Sequence, residues 1–269
     1  MKTPNLDALA QSGVRFDRAY STQPVCGPAR SCIFTGIYPH GTGSFTNSVP
    51  LWRGIKTIGE YLTPHGIHSA FIGKWHLDGG DYFGNGECPD SYDSAYWYDM
   101  RCYLEELSPE ERVESRKKRS NSNKEVSEES TYAHRVVDRA IDFIEKNKDQ
   151  DFFLTVSLDE PHGPYRCPEP YSSMYLGYKW PVTPDMKDRL ENKPRLEKLW
   201  ASGREKEDKE NINISPSGLL GCNSYADYEL GRVIDKINEC AKDAMIVYTS
   251  DHGDALGSHS LNIKGPSVY

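Results

Sequence analysis

No stretch of this 269-residue chain has the length of a membrane span. Its longest apolar runs, 152–158 and 244–248, are strand-sized, whereas a spanning helix needs about 20 apolar residues. No Cys-x-x-Cys pair and no zinc-type spacing occurs. The seven cysteines, at 26, 32, 88, 102, 167, 222 and 240, are odd in number and far apart, a pattern that fits a reducing compartment better than a disulfide scaffold. The cytoplasm is favoured, and a secretory leader upstream of residue 1 stays open as the alternative. Surplus basic charge is also missing. A formal net charge of −8 argues against nucleic-acid binding and requires that any anionic substrate be met by a local group of cations. No internal repeat is present.

What is present is ordinary in bulk, with 37% hydrophobic and 27% charged residues. The length allows one large domain or two small ones. Strand and helix patterns alternate. Residues 3–13, 57–62, 93–107, 130–147 and 217–240 read as helices, and 14–20, 67–72, 152–158 and 245–250 as strands, the last two of them buried. Such alternation predicts an α/β fold, a mostly parallel central sheet flanked by helices. Residues 108–129 form a charged surface excursion. Residues 165–213 read as a long lid or recognition loop with a helix near 185–200. Tyr92, Tyr96, Trp97 and Tyr98 are read more simply as a core face than as a sugar-stacking wall.

Residues 26–36, Cys-Gly-Pro-Ala-Arg-Ser-Cys-Ile-Phe-Thr-Gly, are the most informative segment. Pro28 can open a helix. Cys26 then sits at the helix N-terminus, where free N–H groups and the dipole favour negative charge, and Arg30 follows one turn later on the same face. Read alone, Cys-x-Pro is a small buried cysteine in a helix cap. The full stretch resembles the signature of the type I sulfatases, C-x-P-[S/A]-R followed by T-G. The segment Thr-Pro-Asn-Leu-Asp-Ala-Leu-Ala with the following Gly-Val-Arg-Phe is similar to that family's first helix. In the family a strand ending in two metal-binding aspartates precedes that helix, and further strands and a small subdomain follow Lys264. The resemblance thus implies an alkaline-phosphatase/sulfatase-like catalytic domain over 1–269 that is incomplete at both ends.

Three strand ends carry polar groups: Gly73-Lys74-Trp75-His76-Leu77, Asp159-Glu160-Pro161-His162-Gly163-Pro164 and Asp251-His252-Gly253-Asp254. Loops that follow buried strands are where sites are built. Each of these resembles its sulfatase counterpart, in the family's order. The resemblance implies that Cys26 is converted to formylglycine by a formylglycine-generating maturase and that its hydrated aldehyde is the nucleophile. It further implies that Arg30 holds the diol, that Lys74 and Lys264 bind sulfate oxygens, and that His76 takes the diol proton. His162 assists the leaving oxygen, while Asp251, His252 and residue 26 itself bind a divalent metal. Calcium is the expected metal, with manganese or zinc as alternatives because His252 stands where many relatives have asparagine.

The expected activity is hydrolysis of a sulfated carbohydrate or aryl sulfate. The alternatives are a phosphonate or phosphodiester hydrolase on the same fold, and a catalytically dead fragment. Without the upstream aspartates, weak metal binding and little activity are expected of these 269 residues alone.

Overall fold

The computed structural model describes residues 1–79, 82–117, 125–201, 212, 214–262 and 264–265. In chain order the elements are helices α1 (Pro4–Ser12), α2 (Cys26–Thr35), α3 (Pro39–Thr42) and α4 (Ile58–Leu62), strand β1 (His68–Gly73), helices α5 (Met100–Glu106), α6 (Pro109–Ser115) and α7 (Tyr132–Asn147), strand β2 (Phe152–Ser157), and helices α8 (Arg195–Ala201) and α9 (Ser217–Cys240). None of the described helices is long and apolar enough to cross a membrane.

The period-two alternation of β1 sets the layering. Ala70 and Ile72 face one way, onto Val136, Val137, Ala140, Phe143 and Ile144 of α7 and Val233 of α9. Phe71 faces the other way, onto Phe34 of α2, Trp75 and Tyr92. Helix α7 forms because its apolar residues recur at helical spacing, and because the Thr131 side chain accepts a hydrogen bond from the His134 N–H at its start. β1 and β2 pair in parallel from His68↔Phe152 to Gly73↔Ser157. Their C-terminal ends therefore open on the same side, beside the N-terminus of α2. The fold is α/β, with a parallel sheet flanked by helices. Of the aromatic group, Tyr92 and Trp97 pack with Phe71, and Tyr96 and Tyr98 pack on the α7 side, so all four belong to the core.

Four sequence expectations change. The helix expected over 93–107 is confined to α5. Asp99 caps it by accepting from the Arg101 and Cys102 N–H groups. Tyr98, just before the cap, is instead bridged to β1, where its carbonyl accepts from the Gly73 N–H at 2.7 Å. Residues 14–20 form no strand: Val14, Phe16 and Tyr20 are exposed, and Arg15 pairs only with its near neighbour Asp17 among the described residues. Nor do 245–250 form the buried strand expected of them. Met245, Val247 and Tyr248 are 87%, 74% and 55% exposed. A strand exists only where its N–H and C=O groups meet a neighbour, and no described segment pairs with either stretch. Finally, the helix expected near 185–200 is split into a 3-10 turn at Pro184–Lys187 and α8. Residues 118–124 of the charged tract and 202–211 and 213 of the long loop lie outside the described residues.

Helix α1 buries no residue of its own and is held by α9. The buried Asp227 accepts from the Leu6 N–H at 2.8 Å and the Asn5 N–H at 3.2 Å, which caps α1 from another helix. Gly231 permits the close approach, since a Cβ there would lie 2.5 Å from Asn5. Asp227→Ala should lower stability by about 1–2 kcal/mol, read as the shift of the urea midpoint. An unchanged midpoint would show that α1 does not depend on this cap.

Candidate active site

Cys26 is the first residue of α2 and is 2% exposed. Val25 provides no side-chain cap, and the Gly27 N–H donates to Asn47 Oδ1 at 2.8 Å. Pro28 is the third helical residue rather than the first. The Sγ atom of Cys26 lies 3.3 Å from His252 Nε2. The other ring nitrogen of His252 meets the Gly253 carbonyl at 2.9 Å, so Nδ1 carries a proton there. Burial alone pushes the thiol up. His252, His76 and the charges of Lys74 and Lys264 outweigh it and bring Cys26 down to about 4. The same contact acts in reverse on His252: burial disfavours its charged form, but Cys26 and Asp251 hold the imidazole above its ordinary value.

Arg30 ties together the surroundings of this thiol. Its Nε donates to Asp251 Oδ2 at 3.1 Å, and its NH1 donates to the Lys74 carbonyl and to Ser157 Oγ, both at 2.7 Å. The ends of β1 and β2 and the 251–252 turn are thereby fixed to α2. Asp251 is half-buried. Burial pushes its carboxyl up, but Arg30 and His252 draw it below the usual carboxylate range.

Lys74 is 3% exposed. Its ammonium donates to Asp159 Oδ1 at 2.8 Å and to the Tyr82 hydroxyl at 3.3 Å. Tyr82 also donates to Asp159. Burial would raise Asp159, yet Lys74 and then His162 hold it low. His162 lies beside Tyr82, with ring centroids 4.8 Å apart, and its Nδ1 meets the Gly163 carbonyl at 2.8 Å. Burial pulls His162 below its ordinary value, against the opposing pull of Asp159. His76 is buried in a left-handed backbone conformation (φ 57°), and its Nδ1 has no hydrogen-bond partner among the described residues. Lys264 is half-buried, and its charge reaches both Cys26 and His162.

Cys26, Arg30, Lys74, His76, His162, Asp251, His252 and Lys264 thus form one region. His259, another histidine of the same stretch, points elsewhere: its Nδ1 meets Asp188 at 2.9 Å. Tyr82, Ser157 and Asn47 also contribute to the site and carried no sequence signal, because only the fold brings them to Lys74, Arg30 and Gly27.

A profile of the sulfatase family matches residues 1–267. The chain belongs to the sulfatase family. It is 39% identical over 277 residues to the uncharacterized sulfatase YidJ of Escherichia coli (strain K12), a match that covers 100% of this chain and 56% of that protein. It is 27% identical to human iduronate 2-sulfatase, covering 96% of this chain and 52% of that one. The chain spans about half the length of these curated relatives. Among solved structures, a phosphonate monoester hydrolase of Agrobacterium radiobacter superposes with a TM-score of 0.74 at 20% identity, covering 99% of this chain and 61% of that one. A structure solved in complex with its substrate D-glucosamine-2-N,6-O-disulfate superposes with a TM-score of 0.69 at 18% identity, covering 97% of this chain and 63% of that one. These likenesses establish the alkaline-phosphatase/sulfatase-like fold.

Sulfatases generally use a divalent metal, and one group of donors in this sulfatase domain suits such an ion. Ligand atoms of Cys26, Asp251 and His252 all lie within 4.8 Å of one another. With residue 26 as cysteine the set holds one sulfur, one carboxylate oxygen and one imidazole nitrogen, and the Asp251 and His252 donors alone already suit a borderline divalent ion with open positions. Calcium takes six to eight oxygens, more than these residues supply. Both oxygens of Asp251 already accept hydrogen bonds, Oδ2 from Arg30 and Oδ1 from the His252 N–H.

Removing Lys74 leaves Asp159 charged and poorly solvated. Lys74→Ala should cost about 3–5 kcal/mol at pH 7, whereas the double change Lys74→Met/Asp159→Leu should cost much less. Asp159 is held below its unfolded value of roughly 3.9, so its contribution is present above that pH and is lost as pH falls through the lower folded value. Urea unfolding of both variants checks this. Equal losses in the two would contradict it.

Proposed function

We propose that the protein hydrolyses sulfate esters of a carbohydrate or aryl alcohol, with residue 26 acting as formylglycine. One observation carries this reading. Polar groups from the ends of β1 and β2 and from the 251–252 turn converge on the buried first turn of α2, so that a single side chain meets two histidines and the charges of two lysines. When installed, the hydrated aldehyde and a divalent ion held by Asp251, His252 and residue 26 would supply the nucleophile and the Lewis acid.

The chain's own residues do the rest. The N-terminus of α2, Lys74 and Lys264 offer positive potential to the three outer oxygens of a sulfate. Lys74 keeps Asp159 and the Tyr82 hydroxyl as partners, so its position is set before substrate arrives. His76, against the thiol position, takes the proton of the second hydroxyl. His162 directs Nε2 at the leaving oxygen, because Nδ1 is occupied by Gly163. Arg30 holds Asp251 and both strand ends in register with residue 26. A formylglycine-generating enzyme is the partner that installs the group.

The test uses the full-length gene product made together with such an enzyme. His162→Ala should slow hydrolysis of a sugar or alkyl sulfate by about 10²–10⁴-fold, and that of 4-nitrophenyl sulfate far less, because nitrophenolate leaves without a proton. His162 is held below its ordinary value of roughly 6.5, and it donates only when protonated. In the parent enzyme, kcat/KM on the sugar sulfate should therefore fall as pH rises through a value below that ordinary one. Equal losses on both substrates would remove His162 from this role. A strong preference for aryl phosphodiesters over aryl sulfates would overturn the reaction assignment itself.

A further inference from the structure

Lys264 follows a stretch of backbone that few side chains tolerate. Leu256, His259 and Ser260 lie in the left-handed region, with φ of 46°, 50° and 61°. Non-glycine residues gathered there are costly, and such backbone persists only where its surroundings over-determine it. The turn supplies part of that restraint itself. The Gly257 N–H donates to the Leu261 carbonyl at 2.8 Å, and the Ser260 N–H to the Gly257 carbonyl at 3.1 Å.

The rest comes from residues 185–190 of the long loop, partner by partner. The Ser258 side chain is hydrogen-bonded to the Asp185 carboxyl. His259 Nδ1 lies 2.9 Å from Asp188 Oδ2, and because a carboxylate only accepts, the imidazole donates. Ser260 Oγ donates to the Asp188 carbonyl at 2.9 Å. Leu261 is buried against Leu190 and Ala201 of α8. Asp188 is fixed in turn, since its Oδ1 accepts from the Leu190 N–H at 2.7 Å. His259 and that N–H hold its carboxyl below the usual carboxylate range.

On the far side of Lys264, Gly265 lies against α8: a Cβ there would stand 2.4 Å from the Trp200 ring. Lys264 is therefore flanked by two anchors, both on the 185–201 segment. Lys74 differs, because Asp159 and Tyr82 grip its ammonium directly. Among the described residues no carboxylate pairs with Lys264, so its place is set through the backbone on either side of it.

Resting on the reading of Lys264 as a sulfate contact, we propose that His259 is a positioning residue: its bond to Asp188 holds the 256–260 turn in its left-handed form, and so keeps Lys264 in place to meet the sulfate beside residue 26.

The experiment uses the full-length gene product matured by a formylglycine-generating enzyme, with 4-nitrophenyl sulfate as substrate and inorganic sulfate as competitive probe. His259→Ala should raise the inhibition constant of sulfate, and lower kcat/KM, about ten-fold, the size of a lost hydrogen bond to a charged group. His259→Asn should stay within about three-fold of the parent, because Nδ2 stands as far along its side chain as Nδ1 does in histidine and asparagine tolerates left-handed backbone. His259→Gly removes the bond while favouring that backbone. It keeps the test decisive even if His259→Ala folds poorly, and it should show the same losses as His259→Ala. Added to Lys264→Ala, His259→Gly should change neither quantity by more than about two-fold, since a positioning residue acts only through the group it positions. A merely structural role would add its full loss to that of Lys264→Ala. Such additivity, or an unchanged inhibition constant in His259→Gly, would overturn the proposal. An inert Lys264→Ala would instead overturn the reading of Lys264 as a sulfate contact, and the proposal with it.

Discussion

Arg30 keeps a permanent charge at 8% exposure, and a protein tolerates that only where the charge is paired and hydrogen-bonded. Its partners come from three separate segments: the Lys74 carbonyl at the end of β1, Ser157 at the end of β2 and Asp251. The helix that begins at Cys26 is therefore locked to both strands by one side chain one turn along it. Ser157 completes the lock by donating to the same Lys74 carbonyl at 2.9 Å. The position of residue 26 relative to Lys74, His76 and His252 follows from this anchor.

The second constraint is electrostatic. The chain carries a net charge of −8, yet the surroundings of Cys26 are strongly positive. Carboxylates make this possible by holding the cations in place: Asp251 beneath Arg30 and Asp159 beneath Lys74. Against burial, the Cys26 thiol is drawn down to about 4 first by hydrogen bonds to His252 and His76 and then by the charges of Lys74 and Lys264. An environment that stabilises a thiolate also stabilises a bound sulfate, since both are anions placed at a helix N-terminus among fixed donors. The acidic surface and the basic centre are thus compatible, because potential at a site is decided within a few ångströms rather than by the total.

Much of this was legible before any fold was known. The eleven residues from Cys26 and the three strand-end clusters contained every candidate that the structure brings together except Lys264, which stands alone near the end of the chain. Periodicity located α7 and α9 well, because a helix that packs along its whole length writes its buried face into the sequence. It failed at 14–20 and 245–250, since alternation records an apolar face but not whether a neighbour covers it. It overextended α5, because the capping role of Asp99 and the bridge from Tyr98 to β1 are tertiary facts. Tyr82 and Ser157 were silent for the same reason: nothing in their local sequence says that they meet Lys74 and Arg30.

The account stands on the chemical identity of residue 26. The direct measurement is peptide mass spectrometry across residues 26–36 of the full-length protein purified from its native host. The account predicts a peptide in which the sulfur of Cys26 is gone and an aldehyde, trapped by a hydrazide reagent, stands in its place. A peptide carrying only the unmodified thiol, from protein that nevertheless hydrolyses sulfate esters, would contradict it.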